Sequence, residues 1–432
     1  MPKENRGTSG RGTSRKAQRR ELGPDGTLQF GPEIYEGLQL PASAPKQPTV
    51  TAKRVVVTAV MTPEEIKDKQ GSHFTEKDAT QIFDEDVDVY GKETAGSEPI
   101  LLAKFRKNVV PADLIRTGWE AYYRTAAPSR NRGAAAGPIQ LDSKYWQKRK
   151  PTKVAGWSAS YIQNGKVSKM SVNNNVFSSV LGYFEQTPFM GLPCRLTSYT
   201  QKYFHRYKHG IPFIQALDGV FKRMVPDRHK KQLAAAKAAP SYQIAGTAFS
   251  SVTINRNFRT ALHMDDGDFR DGFGNLSVIE RGKYHGGATI LPRYGVGFNV
   301  RTGDFLAMNV HEWHCNTEMR EEGGDAAFNR TLPRIHTDSE ETGTLGAEKP
   351  FTRISFVCYL REKLRGCKMT ETQAYYDRIG FDPEKGKATA ASGKATAASG
   401  KGTRKAAAVA KGGKAAFSAA PLENGSGSGL ER

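Results

Sequence analysis

The stretch between residues 246 and 361 decides the fold, because six short runs follow one another there with glycine turns between them: SSVTINRNF (250–258), LSVIE (276–280), ATILP (288–292), VGFNV (296–300), DFLAMNV (304–310) and RISFVCYL (353–360). Each run is rich in β-branched or apolar residues, and short strands at turn-separated spacing make a β-sandwich or barrel. Upstream the pattern changes to a helical region, with which NNNVFSSVLGYF (173–184) is read. Gln201 to Phe221 and Met224 to Ala239 read as two helices, separated near Pro226 and closed by Pro240, because proline starts or ends a helix more readily than it continues one. Further out, Ala112 to Arg124 reads as a helix and Arg54 to Val60 as a strand. Helices thus precede a β core, an α+β arrangement.

A chain of 432 residues holds one large domain or two ordinary ones. Lys and Arg outnumber Asp and Glu by 64 to 44, and a net charge of +20 points to a polyanionic partner, nucleic acid ahead of an acidic membrane. The excess gathers at the ends. Residues 1–20 carry seven Lys/Arg and one acid, and residues 385–414 carry eight and none, with GKATAAS repeated in tandem from Gly386 to Ser399. Such segments bury too little apolar surface to order themselves, and they suit arms that hold phosphates without reading sequence. The first residues lack the apolar run of a secretory signal, and no stretch approaches the roughly 20 apolar residues of a membrane span. Cys194, Cys315, Cys358 and Cys367 have no CxxC spacing and read as reduced thiols of an intracellular protein.

The chemistry lies in the β core. In His263-Met264-Asp265, an extended backbone turns residues i and i+2 to one face, so an imidazole and a carboxylate converge. A later strand run delivers His311-Glu312-Trp313-His314. Two His and one carboxylate leave three positions open on an octahedral metal, the facial triad of Fe(II) oxygenases; zinc, which accepts the same donors, is the alternative. In the last run, alternation puts Arg353, Ser355, Val357, Tyr359 and Arg361 on one face and Ile354, Phe356, Cys358 and Leu360 on the other. Two Arg, a Ser and a Tyr are costly to bury unless they meet an anion, and Arg353 with Ser355 suits the grip on a dicarboxylate such as 2-oxoglutarate.

The segments TALHMDDGDF (260–269), GNLSVIERGKYHGGATILPRYGVGFNV (274–300), RTGDFLAMNVHEWHCNT (301–317) and TRISFVCYL (352–360) together resemble the catalytic core of the TET/JBP family, the methylcytosine and thymine dioxygenases of DNA. The order HxD, GG-x4-P, GD before a strand, His before a small residue and RxS is more specific than any one motif. The resemblance implies a double-stranded β-helix (jelly-roll, cupin-like) core with flanking N-terminal helices and disordered basic termini. The expected organisation is a basic low-complexity segment (1–52), an N-terminal extension packed on or linked to the core (53–150), a dioxygenase domain (151–383) and a Lys/Ala/Gly-rich tail (384–432).

Carried over by position, His263, Asp265 and His314 match the iron ligands, with His311 competing for the last role. Arg353 matches the 2-oxoglutarate arginine, Ser355 supports it, and Arg259 stands where a second arginine meets the cosubstrate. Asp268 falls where relatives meet the flipped base, as a catalytic and substrate-binding residue, and Tyr359 and Arg361 fall on the base-facing end of the last strand. Arg361 replaces a histidine common in TET-like enzymes, and residues Thr317 to Phe351 form an insertion, a DNA-contacting loop or a mere lengthening.

The implied cofactors are Fe(II), 2-oxoglutarate and O2, with ascorbate as stimulant. The implied reaction oxidises the 5-methyl group of 5-methylcytosine in DNA, a step towards DNA demethylation in the nucleus, by a monomer acting on a base flipped out of the duplex. Competing readings are a thymine hydroxylase of the JBP type, an ascorbate-using relative acting on 5-methylcytosine, a catalytically silent DNA-binding chromatin protein and a cupin-like enzyme for small molecules. Tyr183, Phe184 and Tyr199 are expected to fill core.

Overall fold

The computed structural model describes residues 27–147, 149–168, 171–336, 350–384 and 386–388. The basic N-terminal run, the tandem repeat beyond Ala388 and residues 337–349 of the insertion lie outside these. Four strands come early: β1 (Lys53–Thr58), β2 (Gln81–Phe83), β3 (Val87–Lys92) and β4 (Ile100–Arg106). Then follow helix α1 (Ala112–Tyr122) and strands β5 (Pro151–Ala155), β6 (Ser158–Gln163), β7 (Lys166–Val167), β8 (Val176–Phe184) and β9 (Arg195–Leu196). Helices α2 (Phe204–Met224) and α3 (Pro226–Lys237) lead into β10 (Ser251–Arg256), β11 (Gly274–Arg281), β12 (Thr289–Leu291), β13 (Val296–Phe298), β14 (Phe305–Met308), β15 (Cys315–Asn316) and β16 (Thr352–Tyr359). Helix α4 (Met369–Ile379) comes after the last of these.

The large sheet runs β1-β3-β4-β14-β11-β16-β10-β8-β9, and a smaller sheet runs β15-β12-β13-β2. Strand alternation assigns the two faces of the large sheet. Ile354, Phe356 and Cys358 of β16, with Val252 and Ile254 of β10, pack into one core with α1 and α2. Leu276 and Val278 of β11 and Leu306 of β14 pack the other way, against Leu291, Val296 and Phe298 of the smaller sheet. Helices therefore cover one face and a second sheet covers the other. Two sheets closed over a shared apolar interior make the double-stranded β-helix.

Two expectations are corrected here. Strands come before the helices as well as after them: β4 pairs with β14, so β1, β3 and β4 extend the same sheet as the core strands, while β2 joins the smaller one. NNNVFSSVLGYF, read as part of a helical region, forms β8, paired antiparallel with β10. The cysteines are a third. Cys194 and Cys367 form a disulfide between the approach to β9 and the approach to α4, with Cα atoms 6.0 Å apart; Cys315 and Cys358 are free and buried. A separation of 173 residues leaves no local spacing by which this pair could be seen. No described helix is long and apolar enough to cross a membrane.

Helices α1 and α2 meet through reciprocal gaps. A Cβ on Gly118 would stand 2.7 Å from Cγ of Phe213, and one on Gly210 would overlap the Tyr122 ring. Both rings reach Phe356 of the sheet, at 5.0 Å from Phe213 and 5.9 Å from Tyr122 between centroids. Gly210→Ala is expected to destabilise the fold by about 1–3 kcal/mol through overpacking, despite alanine's better helix propensity. Denaturant unfolding measures this, and a stabilised variant would contradict the packing.

Candidate active site

Two extended segments meet beyond the ends of the strands and bring the site together. The chain after β10 pairs antiparallel with the chain before β15: His263 N–H donates to His314 O at 3.1 Å and His314 N–H to His263 O at 3.0 Å. Directly opposed residues project side by side, and the two imidazole centroids lie 4.3 Å apart. Asp265, two residues further on, is held by its own N–H to Val310 O at 3.0 Å. One donor atom from each of His263, Asp265 and His314 lies within 4.8 Å of the others. His263 Nε2 is 3.7 Å from Asp265 Oδ1, and His314 Nε2 is 3.7 Å from Asp265 Oδ2. Each Nδ1 faces a backbone carbonyl, Ala261 O for His263 and Glu312 O for His314, both at 2.9 Å. That bond fixes the tautomer and leaves Nε2 free for a metal. Burial, with the neighbouring His263, pulls His314 down to about 4, so it is neutral at pH 7, as a ligand must be. His311 belongs to the turn before this bridge and is not one of the three.

A cavity of about 360 Å³ opens from these residues and runs between the sheets. Its walls include Thr253 and Asn255 of β10, Ser355, Val357 and Tyr359 of β16, Thr289 of β12 and Asn316 of β15. Thr260 Oγ donates to Asn316 Oδ1 at 2.7 Å, and Asn316 Nδ2 to Thr289 Oγ at 3.0 Å, a polar chain along the inner wall. Arg353 stands two residues before Ser355 on the same face of β16. It is 3% exposed, and its Nε and Nη2 have no hydrogen-bond partner. A buried guanidinium with open donors fits an anionic ligand. Gly287, of the GG pair, has φ +76°, and a Cβ there would crowd Met319 Cγ at 2.9 Å and touch Arg353 Nε at 3.4 Å.

Like Arg353, Arg259 is not among the residues that line the cavity. Its Nη2 donates to Phe74 O at 2.9 Å, and Nη1 reaches Glu318 at 3.5 Å. Asn257, at φ 47°, interrupts the extended backbone just after β10 and before Arg259.

Asp268, Tyr359 and Arg361 also line the cavity. Asp268 and Arg361 face each other across an isolated antiparallel bridge. Burial, reinforced by Asp265 and opposed by Arg361, pushes the Asp268 carboxyl well above the usual carboxylate range; its Oδ2 is buried without a partner. Arg361 is held by both carboxylate oxygens of Glu185, with its guanidinium 4.3 Å from the centroid of Phe184. Phe184 thus supports this arginine as well as filling space, while Tyr183 packs on Tyr242 and Tyr199 on Tyr203.

Sequence reasoning missed Asn131, Arg132 and Ala135, which also line the cavity. They arrive on a short turn more than 100 residues before the HxD motif, tied to it by Ala261 N–H donating to Ala135 O at 2.9 Å. Arg132 Nε is buried and unpartnered. No spacing in RNRG announces this approach.

Residues 179–362 match the family model Tet_JBP, described as the oxygenase domain of the 2OGFeDO superfamily. Among curated proteins the chain is similar to thymine dioxygenase JBP1 of Trypanosoma brucei brucei, 38% identical over 155 residues, or 35% of this chain and 18% of that protein. It is 35% identical over 224 residues to thymine dioxygenase JBP1-B of Trypanosoma cruzi (strain CL Brener), covering 50% of this chain and 23% of the relative. It is 33% identical over 206 residues to the bifunctional helicase and thymine dioxygenase JBP2 of Leishmania infantum, covering 47% and 16%. The chain thus spans under a quarter of the length of these relatives. Among solved structures, NgTET1 in complex with 5mC DNA aligns over 75% of this chain and 90% of that one, at 10% identity and a TM-score of 0.39.

Proposed function

The chain belongs, through residues 179–362, to the TET/JBP family of 2OGFeDO oxygenase domains, and on that premise we propose that it is an Fe(II)- and 2-oxoglutarate-dependent dioxygenase oxidising the 5-methyl group of 5-methylcytosine in DNA. The observation that carries the reading is one cavity with a His263–Asp265–His314 cluster at its wall and, two residues along β16 from the lining Ser355, a buried Arg353 whose Nε and Nη2 have no partner. The donor set fits ferrous iron. The orphaned guanidinium fits the distal carboxylate of 2-oxoglutarate, with Ser355 beside it.

When bound, iron with 2-oxoglutarate and dioxygen supplies the oxidant that an unactivated methyl C–H bond needs. The chain's own residues bind, orient and exclude water. His263, Asp265 and His314 would hold the metal on one side and leave the cavity side open. Arg353 would fix the cosubstrate by its far end. A methyl group stacked in a duplex cannot enter so enclosed a space, so the base must be flipped out. Asp268 would meet its Watson–Crick edge, with Tyr359 and Arg361 beside it. The open Oδ2 of Asp268 suits the exocyclic amino group of cytosine, a donor that thymine lacks. Proposed partners are therefore methylated DNA and, as its place of action, the nucleus.

A second reading, thymine oxidation, is favoured by the named activity of the relatives and by Arg132 and Arg361, whose donors suit ring carbonyl oxygens. One assay separates the readings. The protein is incubated with Fe(II), ascorbate and 2-oxoglutarate on duplexes with and without 5-methylcytosine, then nucleosides and succinate are measured by mass spectrometry. 5-Hydroxymethylcytosine supports the first reading, and 5-hydroxymethyluracil from the unmethylated duplex supports the second. Absence of both, without succinate, discards the enzyme reading. Asp268→Ala is expected to lower base oxidation about 10- to 100-fold, the loss of a buried hydrogen bond worth roughly 1.5–3 kcal/mol, while metal binding is kept. Unchanged oxidation would remove Asp268 from base recognition.

A further inference from the structure

Residues 126–172 contain nine Lys/Arg and a single acid, Asp142. Part of this segment forms an arm: β5, β6 and β7 make a separate three-stranded antiparallel sheet, with the Asn164-Gly165 turn between β6 and β7. Arg149, Lys150, Lys153 and Lys166 are exposed on it, and none of the four forms an ion pair with a described carboxylate. Aromatic rings fix the geometry at its base. The Arg130 and Arg149 guanidinium groups lie 3.6 Å and 3.8 Å from the Tyr145 ring centroid, and Tyr145 meets Trp146 and Tyr161 edge-on.

The arm is joined firmly to the cavity. Asn173 Oδ1 accepts from Gly133 N–H at 2.8 Å, and its Nδ2 donates to Trp157 O at 3.0 Å. Asn174 Oδ1 accepts from Gln140 N–H at 3.0 Å, and its Nδ2 donates to Pro138 O at 2.7 Å and Ala136 O at 3.0 Å. These two amides pin the loop that carries Asn131, Arg132 and Ala135 into the cavity wall. One continuous segment thus bears an unneutralised cationic surface and a wall of the pocket.

We propose that the arm of residues 130–168 is a grip on the DNA backbone, taking phosphates on Arg149, Lys150, Lys153 and Lys166 beside the pocket that Arg132 enters. The proposal rests on the DNA-oxidising reading for its choice of partner. Unpaired exposed cations cost little in water and gain by releasing counterions from a duplex. The flipping of a base costs a few kcal/mol, which such contacts offset. The asparagine clamp keeps the gripped backbone and the pocket in fixed relation, which is what presenting a single nucleotide requires.

The test uses the full chain and a fluorescently labelled 20-base-pair duplex, with anisotropy titrations over a salt series. The variant carries Arg149→Gln, Lys150→Gln, Lys153→Gln and Lys166→Gln. A control removes four exposed cations elsewhere: Lys222→Gln, Arg223→Gln, Lys230→Gln and Lys237→Gln. The arm variant is expected to bind at least about tenfold more weakly, with the slope of log K against log salt smaller by about 3–4, at roughly 0.9 for each phosphate left unneutralised. The control is expected to keep the slope within about one unit of the wild type. Lys150→Arg, Lys153→Arg and Lys166→Arg together should restore binding, which a general folding defect would not allow. Equal losses in arm and control variants, or an unchanged slope in the arm variant, overturn the grip. Binding is read without turnover. Weakened binding by the arm variant in a protein that oxidises no base keeps the grip and discards the chemistry, and oxidation with an unchanged slope does the reverse.

Discussion

Asp265→Ala is expected to abolish oxidation, lowering kcat/KM at least about 1,000-fold, equivalent to 4 kcal/mol or more of transition-state stabilisation. The size follows from the donor set. His263 and His314 are neighbours whose Nε2 atoms both face Asp265 at 3.7 Å, so this carboxylate is the group that brings negative charge to the proposed metal. Without it, two neutral imidazoles would face a divalent cation alone. His263→Ala and His314→Ala should act similarly, because each takes away one of three protein ligands. His311→Ala should retain most activity, since His311 sits on the turn outside the cluster. Cobalt(II) absorption serves as a readout independent of turnover, and each of the three ligand variants should lose the signal that the wild type and His311→Ala keep. If His311→Ala loses it and His314→Ala does not, the assignment of the second histidine is reversed.

The part of this site that was legible in the sequence is the part that obeys strand alternation. His263 with Asp265, and Ser355 with Val357, Tyr359 and Arg361, were found because i and i+2 share a face, and the structure has those faces turned to one cavity. The contrary face of β16, with Ile354, Phe356 and Cys358, packs under α1 and α2 as the same parity requires. The placement of Arg259 came from the family resemblance and not from parity. The left-handed Asn257 separates Arg259 from the strand frame, and its guanidinium serves the Phe74 carbonyl. What comes from far along the chain was not legible at all: Arg132 in the cavity wall, Glu185 on Arg361, and the pairing of Cys194 with Cys367. None of these has a local period, because each depends on how the sheet order carries distant segments together. β8 shows a milder failure: its run was taken with the helical region before the β core, and its residues pair with β10.

Arg353→Met is expected to act in opposite directions on stability and on cosubstrate affinity. In the protein alone Arg353 is a buried cation, 3% exposed, with Nε and Nη2 unpartnered. Glu280, its neighbour on β11, is already engaged by Tyr284, Arg301 and Thr302. An incompletely paired buried charge destabilises, and an apolar side chain of similar length removes that cost. The free variant should therefore unfold at equal or higher temperature than the wild type, with a gain of about 1–3 kcal/mol. The 2-oxoglutarate carboxylate that the guanidinium is proposed to hold would lose a charge-assisted, bidentate partner. Truncating such a buried pair costs roughly 2–5 kcal/mol, so KM for 2-oxoglutarate should rise by a factor of about 30 to several thousand. Arg353→Lys should fall between, because lysine keeps the charge and loses the planar fork. Thermal melts with and without 2-oxoglutarate under nitrogen read both effects, since a ligand binding only the folded state raises the melting temperature. The wild type should be stabilised by 2-oxoglutarate, and Arg353→Met should be stable yet unresponsive. A variant that is destabilised and still responds would show that Arg353 supports the strand rather than the ligand.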